Sequence, residues 1–376
     1  MFETAKLDEP GHHHNSIAII IAVYEEDKIA KDMVEYYRNI SQSLDIPTYF
    51  VSTRREGSVK HNLTHTTIAR LIKNESLLHI LHYPGKGTKA AQINYVTNKI
   101  KNTIDYYAVF DADSRPDSNG LRYALTVTGS PDVMQMPSQY SVGLRTASKS
   151  QKAATVFQTR WTLCYEVPRW KLWSAQQQPK ESVTYLVGHG LFLKPSVTLP
   201  EDTITEDIEL GYRMSRERNS FQIIPYYDYC TVPPSAGSLI VQSSRWFHGE
   251  LALCKRLLSL LVHKELSLSY KLRALIRCLH VSMWPLGVPL YLLTFFWSIY
   301  TTNPWLLVAT LLSGFLYVYM VHAPTARDLG ISINRISPQL FLRCLINFVG
   351  PMICIARETF GAIFTRPMTY KKTARQ

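Results

Sequence analysis

From Leu279 to Ala326 the chain carries no Lys, Arg, Asp or Glu. Only the polar Thr301–Asn303 and Pro304 interrupt the run. Its halves, Leu279–Tyr300 and Pro304–Val321, have 22 and 18 residues. A helix of either length reaches across a hydrocarbon core of about 30 Å. Buried, charge-free helices of that length seldom occur twice in succession in a soluble protein. The run therefore predicts a membrane hairpin, and the rest of the chain has to be arranged around it.

The charge supports this placement. The net charge is +12, and residues 251–376 hold fourteen Lys and Arg against three Asp and Glu, whereas residues 1–250 hold 27 against 26. A basic third faces something anionic. Its hydropathy selects membrane lipid and excludes nucleic acid as the partner. Lys255, Arg256, Lys264, Lys271, Arg273 and Arg277 precede the hairpin, and Arg327, Arg335 and Arg343 follow it. The positive-inside rule then puts both flanks and the N-terminal region in the cytoplasm, and the connector outside. The expectation is a multi-pass protein of the inner (cytoplasmic) membrane. Leu251–Val262, with Lys255 and Arg256 at helical spacing, predicts an interface helix over 251–264. Cys344–Ala356 has 13 uncharged residues and contains Gly350-Pro351. It reads as an interfacial or re-entrant helix, with a third span as the alternative, and a basic tail follows (Arg366, Lys371, Lys372, Arg375). Six scattered cysteines without a C-x-x-C pair exclude a disulfide framework and a zinc ribbon, and imply a reducing compartment.

The composition, 46% apolar and 19% charged, excludes global disorder. The domains read as a polar tail over 1–15, a folded cytoplasmic domain over 16–250 and a membrane region over 251–376. His12–His14 belong to the tail. Ile17–Val23 is a continuous apolar run, as in a strand covered on both faces. A helical pattern follows over about Glu26–Ile40. Strands are predicted at Thr48–Ser52, Leu77–Leu81 and Tyr106–Phe110, with a helix over about Thr88–Ile100. This alternation predicts an α/β fold with a mostly parallel sheet. Such sheets bind ligands beyond the carboxyl ends of their strands. The residues placed there are Tyr24, Glu25, Thr53–Glu56, Gly85–Lys89 and Asp111–Asp113.

Asp111 and Asp113 stand one residue apart just past a strand. Such a pair can share a divalent cation with a diphosphate. A phosphatase with an aspartyl nucleophile uses the same pattern, but normally after its first strand, and here three strands come first. Lys86 and Lys89 lie in G-K-G-T-K, which suits phosphate or an ordinary basic helix start. The Walker A spacing is absent. Thr205-Glu206-Asp207 opens a helical stretch. Thr205 is a candidate cap, and Asp207 a candidate general base at a helix N-terminus. In Gln242–Trp246, just before the amphipathic segment, Arg245 suits phosphate and Trp246 suits either a sugar face or a lipid interface.

In this order, K-A-A-Q-I-N (Lys89–Asn94), D-A-D-S-R-P (Asp111–Pro116), G-H-G (Gly188–Gly190), T-E-D (Thr205–Asp207) and Q-S-S-R-W (Gln242–Trp246), followed by membrane helices, resemble the membrane-bound family 2 glycosyltransferases. That family includes cellulose, chitin and hyaluronan synthases and ceramide glucosyltransferases. The resemblance implies a GT-A (Rossmann-like) fold followed by an α-helical membrane region. It also implies an inverting, metal-dependent transfer from a nucleotide-diphosphate donor, a UDP-sugar, to a lipid-linked or membrane-proximal glycan. A processive polysaccharide synthase working as a homo-oligomer or with a secretion partner is the alternative. By the same resemblance, Asp207, beside Glu206, is the catalytic base. Asp111 contacts the nucleotide and, with Asp113, holds Mg2+ or Mn2+. Tyr24, Glu25, Thr53, Glu56 and Lys89 line the donor side. Gln242 and Arg245 hold the diphosphate or acceptor, Trp246 packs on the acceptor sugar, and Gly188, His189 and Gly190 line the acceptor side. Family members end the second strand with paired aspartates, one of which reads uracil. Here the stretch is V-S-T-R-R-E-G, so Thr53 or Glu56 takes that place. Tyr370–Arg375 faintly resembles a gating loop.

Overall fold

The computed structural model describes residues 15–175, 182–203, 205–264 and 266–360. The N-terminal tail through His14, and the basic C-terminal tail with Tyr370–Arg375, lie outside the described residues. The chain divides into two compact units. One is Met1–Gln139 with Glu166–Cys230, and the other is Tyr140–Tyr165 with Thr231–Gln376.

The first unit is built on a seven-stranded sheet. In chain order its strands are β1 (Ile17–Ala22), β2 (Thr48–Thr53), β3 (Leu78–Tyr83), β4 (Tyr106–Phe110), β6 (Val133–Gln135), β8 (Leu191–Leu193) and β9 (Phe221–Ile223). Their spatial order is β3-β2-β1-β4-β8-β6-β9. Only β8 runs against its neighbours. The short strands β5 (Arg115–Pro116), β7 (Ser138–Gln139) and β10 (Asp228–Tyr229) form a second sheet, β5-β10-β7. The apolar run that marks β1 has the foreseen cause. Ile17, Ile19 and Ile21 belong to one core and Ala18 and Ile20 to the other, because alternate residues of a strand face opposite sides.

Helices α1 (Ala30–Leu44), α2 (Leu63–Leu71) and α4 (Ser118–Thr126) contribute residues to the first core. Helices α3 (Lys89–Ile100), α6 (Val167–Ser174) and α7 (Glu206–Arg216) contribute to the second. α1 starts four residues later than its pattern predicts, because residues 26–29 form a turn closed by the Ile29 N–H on the Glu26 carbonyl. It ends where Asp45 takes a left-handed conformation, φ 53°. α3 begins as expected, with Thr88 as its cap. Thr205 is not a side-chain cap for α7, which corrects the sequence expectation. The carboxylate of Asp207 accepts the Ile208 N–H at 2.8 Å.

The second unit is helical: α5 (Lys149–Trp161), α8 (Ala236–Leu260), α9 (Leu268–Tyr300), α10 (Pro304–Asp328) and α11 (Ser337–Phe360). The segment foreseen as an interface helix is the last part of α8, and Gln242–Trp246 lies inside that helix, not ahead of it. α11 runs through Arg343 and Arg357, so the stretch around Gly350-Pro351 belongs to a longer helix than its uncharged core suggests. α9, α10 and α11 are each long and apolar enough to cross a membrane. Leu286, Leu290, Leu293, Phe296, Val308, Leu311 and Phe315 are exposed, an apolar surface far larger than water tolerates. Trp297, Tyr300 and Trp305 stand exposed around the Thr301–Asn303 connector, as aromatic residues do at a lipid–water boundary.

Two devices hold this unit together. Arg277 of α9 donates to Glu250 of α8 and to Tyr165, and both charged side chains are buried. α8 meets α11 at Gly350, where a Cβ would overlap the Ser243 hydroxyl and come within 2.6 Å of the Ser244 nitrogen. The small serines of Q-S-S-R-W thus form the seat for α11. Gly350→Val is expected to separate the two helices at a cost of about 1–3 kcal/mol. Thermal unfolding of the detergent-solubilised chain measures this, and an unchanged midpoint would contradict the close seat.

Candidate active site

β1, β2, β3 and β4 are parallel neighbours, so their carboxyl ends share one edge. The register pairs Ile21 with Phe110 and Ala22 with Val51. Tyr24, Glu25, Thr53, Glu56 and Asp111 therefore leave the sheet side by side. Glu56 ties the first group. Its carboxylate accepts the Glu25 N–H at 3.0 Å, the Thr64 N–H at 3.2 Å and the Thr64 hydroxyl at 2.5 Å. Glu25 adopts φ 53° there, a conformation that L residues seldom hold without support. The Thr53 hydroxyl donates to the Gly85 carbonyl at 3.1 Å, linking β2 to the G-K-G-T-K turn.

Lys89, in the first turn of α3, joins the carboxyl edge of the sheet to the G-H-G turn. Its ammonium donates to Asp111 Oδ1 and to the Gly188 carbonyl, both at 2.6 Å. Burial works against the Lys89 charge. Asp111, Glu206 and Asp207 outweigh it and hold the group above its ordinary value. Asn94, at the end of K-A-A-Q-I-N, fixes the approach to α7. Its amide donates to the Leu199 carbonyl and to Glu201, and its oxygen accepts the Leu199 N–H.

Asp207 stands in the first turn of α7. A Cβ on Gly188 would lie 2.9 Å from its Oδ2, so this carboxylate lies against the G-H-G backbone. Gly211 lets the helix approach so closely, since a Cβ there would come 2.6 Å from the Tyr185 backbone. Burial pushes Asp207 above the usual carboxylate range, against the opposing hydrogen bond from Ile208 and the charge of Lys89. A carboxylate tuned upward is a better proton acceptor near neutrality than an ordinary one.

Gly190 takes φ 63°, a left-handed turn that suits glycine, as the chain enters β8. Gln135 of β6 secures this turn. Its amide donates to the carbonyls of His189 at 2.8 Å and Gly190 at 3.1 Å, and its oxygen accepts the Val187 N–H at 3.1 Å. His189 points at β10, where its Nδ1 donates to Asp228 Oδ2 at 2.7 Å. The same oxygen accepts the Ser114 hydroxyl at 2.9 Å, and Ser114 Oγ accepts the Asp111 N–H at 3.3 Å. Asp228 thus ties the D-A-D-S turn to G-H-G. Burial depresses His189, and Asp228 more than restores it. Burial pushes the Cys230 thiol up, and the charges of Asp228, Asp113 and Asp111 push it further.

Asp111, Lys89, Gly188, Glu206 and Asp207 are therefore brought together. Asp113 stands with Asp111 in the turn beyond β4. Two carboxylates one residue apart at a strand end are oxygen donors of the type that suits Mg2+ or Mn2+. Gln242, Arg245 and Trp246 lie on α8 in the second unit, where Gln242 accepts from the Gln158 amide at 2.9 Å. Sequence reasoning missed Gln135, Ser114 and Asp228, which are single polar residues in apolar or turn surroundings.

The family model of glycosyl transferase family group 2 matches residues 108–349. The chain belongs to that family. This glycosyltransferase has the GT-A fold, in the form of a mostly parallel sheet flanked by helices. It is similar to the mannosyltransferase PcManGT from Pyrobaculum calidifontis in complex with GDP-Man and Mn2+, at 12% identity and a TM-score of 0.54, covering 94% of this chain and 88% of that one. A weaker similarity reaches glucosyl-3-phosphoglycerate synthase from Mycobacterium tuberculosis, in complex with Mn2+, UDP and phosphoglyceric acid. There the identity is 11% and the TM-score 0.35, covering 59% of this chain and 72% of that one. No curated protein matches the chain in sequence.

The Lys89 bridge gives a direct prediction. Lys89→Met removes the ammonium between two acceptors and is expected to cost about 1–2 kcal/mol, at the low end for a charged hydrogen bond because both side chains keep some water. A denaturant midpoint equal to that of the unaltered chain would show that the bridge contributes nothing to the fold.

Proposed function

We propose that this glycosyltransferase is an inverting, metal-dependent hexosyltransferase. In this reading it takes a sugar from a nucleotide-diphosphate donor of the UDP type and passes it to a lipid-linked or membrane-proximal glycan at the cytoplasmic face of the inner membrane. The observation that carries the reading is the placement of Asp207 against Gly188, joined through Lys89 to Asp111 at the carboxyl edge of the sheet. Donor-side and base-side groups stand within one side chain of each other, as a single displacement requires.

The chemistry follows from those positions. Asp207 takes the proton of an acceptor hydroxyl as that oxygen forms its bond to the anomeric carbon. The bond from the anomeric carbon to the phosphate oxygen breaks on the opposite side, and its electron pair leaves with the diphosphate. Mg2+ or Mn2+ held by Asp111 and Asp113 would neutralise charge on the departing diphosphate. Lys89 adds a fixed positive charge on the same side. Tyr24, Glu25, Thr53 and Glu56 are the proposed wall for the nucleotide, and Gly188–Gly190 the acceptor side. The Q-S-S-R-W motif supports Gln242 and Arg245 as diphosphate or acceptor ligands and Trp246 as the surface for the acceptor sugar.

Among the described residues three helices are long and apolar enough to cross a membrane, fewer than the large polymer synthases of the resembling family use to enclose a channel, which supports transfer to a lipid-associated acceptor over processive synthesis within one chain. Sizing the product separates the two, since a ladder of long polymers would support the synthase reading. The nucleotide is tested with a panel of labelled uridine and guanosine diphosphate sugars on native membranes. Transfer from guanosine donors alone would overturn the UDP assignment.

Asp207→Asn is expected to lower kcat by about 10²–10⁴-fold while leaving nucleotide binding intact. Wild-type turnover would remove Asp207 from the base role. The base works only when ionised, so kcat/KM should fall as pH drops through the Asp207 value. That acid limb should lie above the ordinary carboxylate range near ~4, as burial dictates, and should vanish in the residual rate of the variant. Asp113→Asn should abolish the dependence on divalent cation, and full activity of the unaltered chain in excess chelator would refute the metal role.

A further inference from the structure

His189, Asp228 and Cys230 reach one point from two segments of the first unit, the G-H-G turn and β10 with the residue after it. One ligand atom from each lies within 4.8 Å of the others. His189 Nδ1 is 3.6 Å from Cys230 Sγ. Two donors bound to one tetrahedral zinc at about 2.0 Å for nitrogen and 2.3 Å for sulfur stand about 3.5 Å apart. Nδ1 and Asp228 Oδ2 are closer, at 2.7 Å, with a proton between them. All three side chains are buried, and Asp228 is fully so, yet its Oδ1 has no hydrogen-bond partner among the described residues. A buried carboxylate oxygen without a donor is costly unless something positive completes it.

The surroundings are those of a metal site. The Ser114 hydroxyl donates to Asp228 Oδ2, and His189 Nε2 faces the Ser138 hydroxyl at 3.5 Å. Ligating histidines commonly use their second nitrogen in this way, to fix tautomer and ring orientation. Asp111 and Asp113 add negative field at the thiol.

We propose that His189, Asp228 and Cys230 form a second cation site, separate from the Asp111–Asp113 pair, for a borderline divalent ion of the zinc class. The donor set of one imidazole, one carboxylate and one thiolate suits such an ion and does not suit Mg2+. On binding, Cys230 loses its thiol proton to solvent and forms the sulfur–metal bond. The Nδ1 proton of His189 leaves to solvent, and the ring coordinates as the neutral tautomer whose proton, exchanged with solvent, sits on Nε2 toward Ser138. The His189–Asp228 hydrogen bond opens by about half an ångström to admit the ion, and water completes the tetrahedron. The ion's role is structural. It clamps G-H-G to β10 beside the D-A-D-S turn, and it is released at low pH as its ligands take protons back.

The test uses the full chain in detergent, in a Cys164→Ser background that removes the exposed thiol. The protein is stripped with chelator and titrated with Co2+ alone. The expected result is a thiolate-to-cobalt charge-transfer band that saturates at one equivalent, persists in Asp113→Asn and disappears in Cys230→Ser. In the Asp113→Asn background, which lacks the other cation site, chelator should also lower the melting temperature of the metal-loaded protein and leave that of the same protein with Cys230→Ser unchanged. No band in the background protein would overturn the proposal without recourse to any variant at the site. A band that survives Cys230→Ser, or is lost in Asp113→Asn, would assign the metal elsewhere and overturn it equally.

Discussion

The position of the Lys89 ammonium is the constraint on which the geometry of the candidate site rests. It bridges a carboxylate just past β4 and a carbonyl in a turn 99 residues beyond Lys89 itself. A charge so placed is stable only while both acceptors stay put, because a partly buried ammonium that loses its partners must be rehydrated. The bridge therefore sets the distance between the carboxyl edge of the sheet and the turn that supports Asp207. The remaining polar contacts serve the same purpose. Gln135 holds the backbone of G-H-G, and Asp228 holds its histidine and the serine of the D-A-D-S turn. The site is a ring of local restraints closed across the two sheets.

Much of this unit was legible in the sequence because its signals are local. The apolar runs gave the strands to within about two residues, since a strand buried on both faces has to be apolar throughout. D-A-D and G-K-G-T-K fell at strand ends for the same reason. Gln135 and Asp228 were not legible. Each acts on His189 from 54 and 39 residues away, and nothing in their local context distinguishes them from other polar residues. Thr205 illustrates a different failure. Its residue type suits a cap, but the carboxylate of Asp207, two residues on, takes a backbone N–H of the first turn. The chain spends that acceptor on a residue that is also the candidate base.

In the second unit the two long apolar helices α9 and α10 were plain because absence of charge over such a length is hard to misread. The helix boundaries were less so. Charged residues such as Arg343 and Arg357 interrupt the apolar stretch without ending the helix, because backbone hydrogen bonding does not depend on side-chain charge. Q-S-S-R-W shows how a motif can carry two demands at once. Ser243 and Ser244 are small because α11 presses on them through Gly350, whereas Arg245 and Trp246 remain half-buried on the same helix. A motif read solely for chemistry misses the first demand.

The electrostatics of the first unit explain why so many acidic groups are tolerated together. Asp111, Asp113, Glu206, Asp207 and Asp228 would repel one another across a partly desolvated edge, and Lys89 and His189 are the cations set among them. Carboxylates outnumber the cations among these named groups, and such an excess of negative field is unstable unless protons or metal ions reduce it. Burial already moves Asp207 and Asp228 toward the protonated state. A cation at either end of the cluster would reverse that tendency by stabilising the ionised carboxylates around it. Ion binding, the ionisation of the base and the rigidity of the G-H-G turn are on this view one coupled equilibrium.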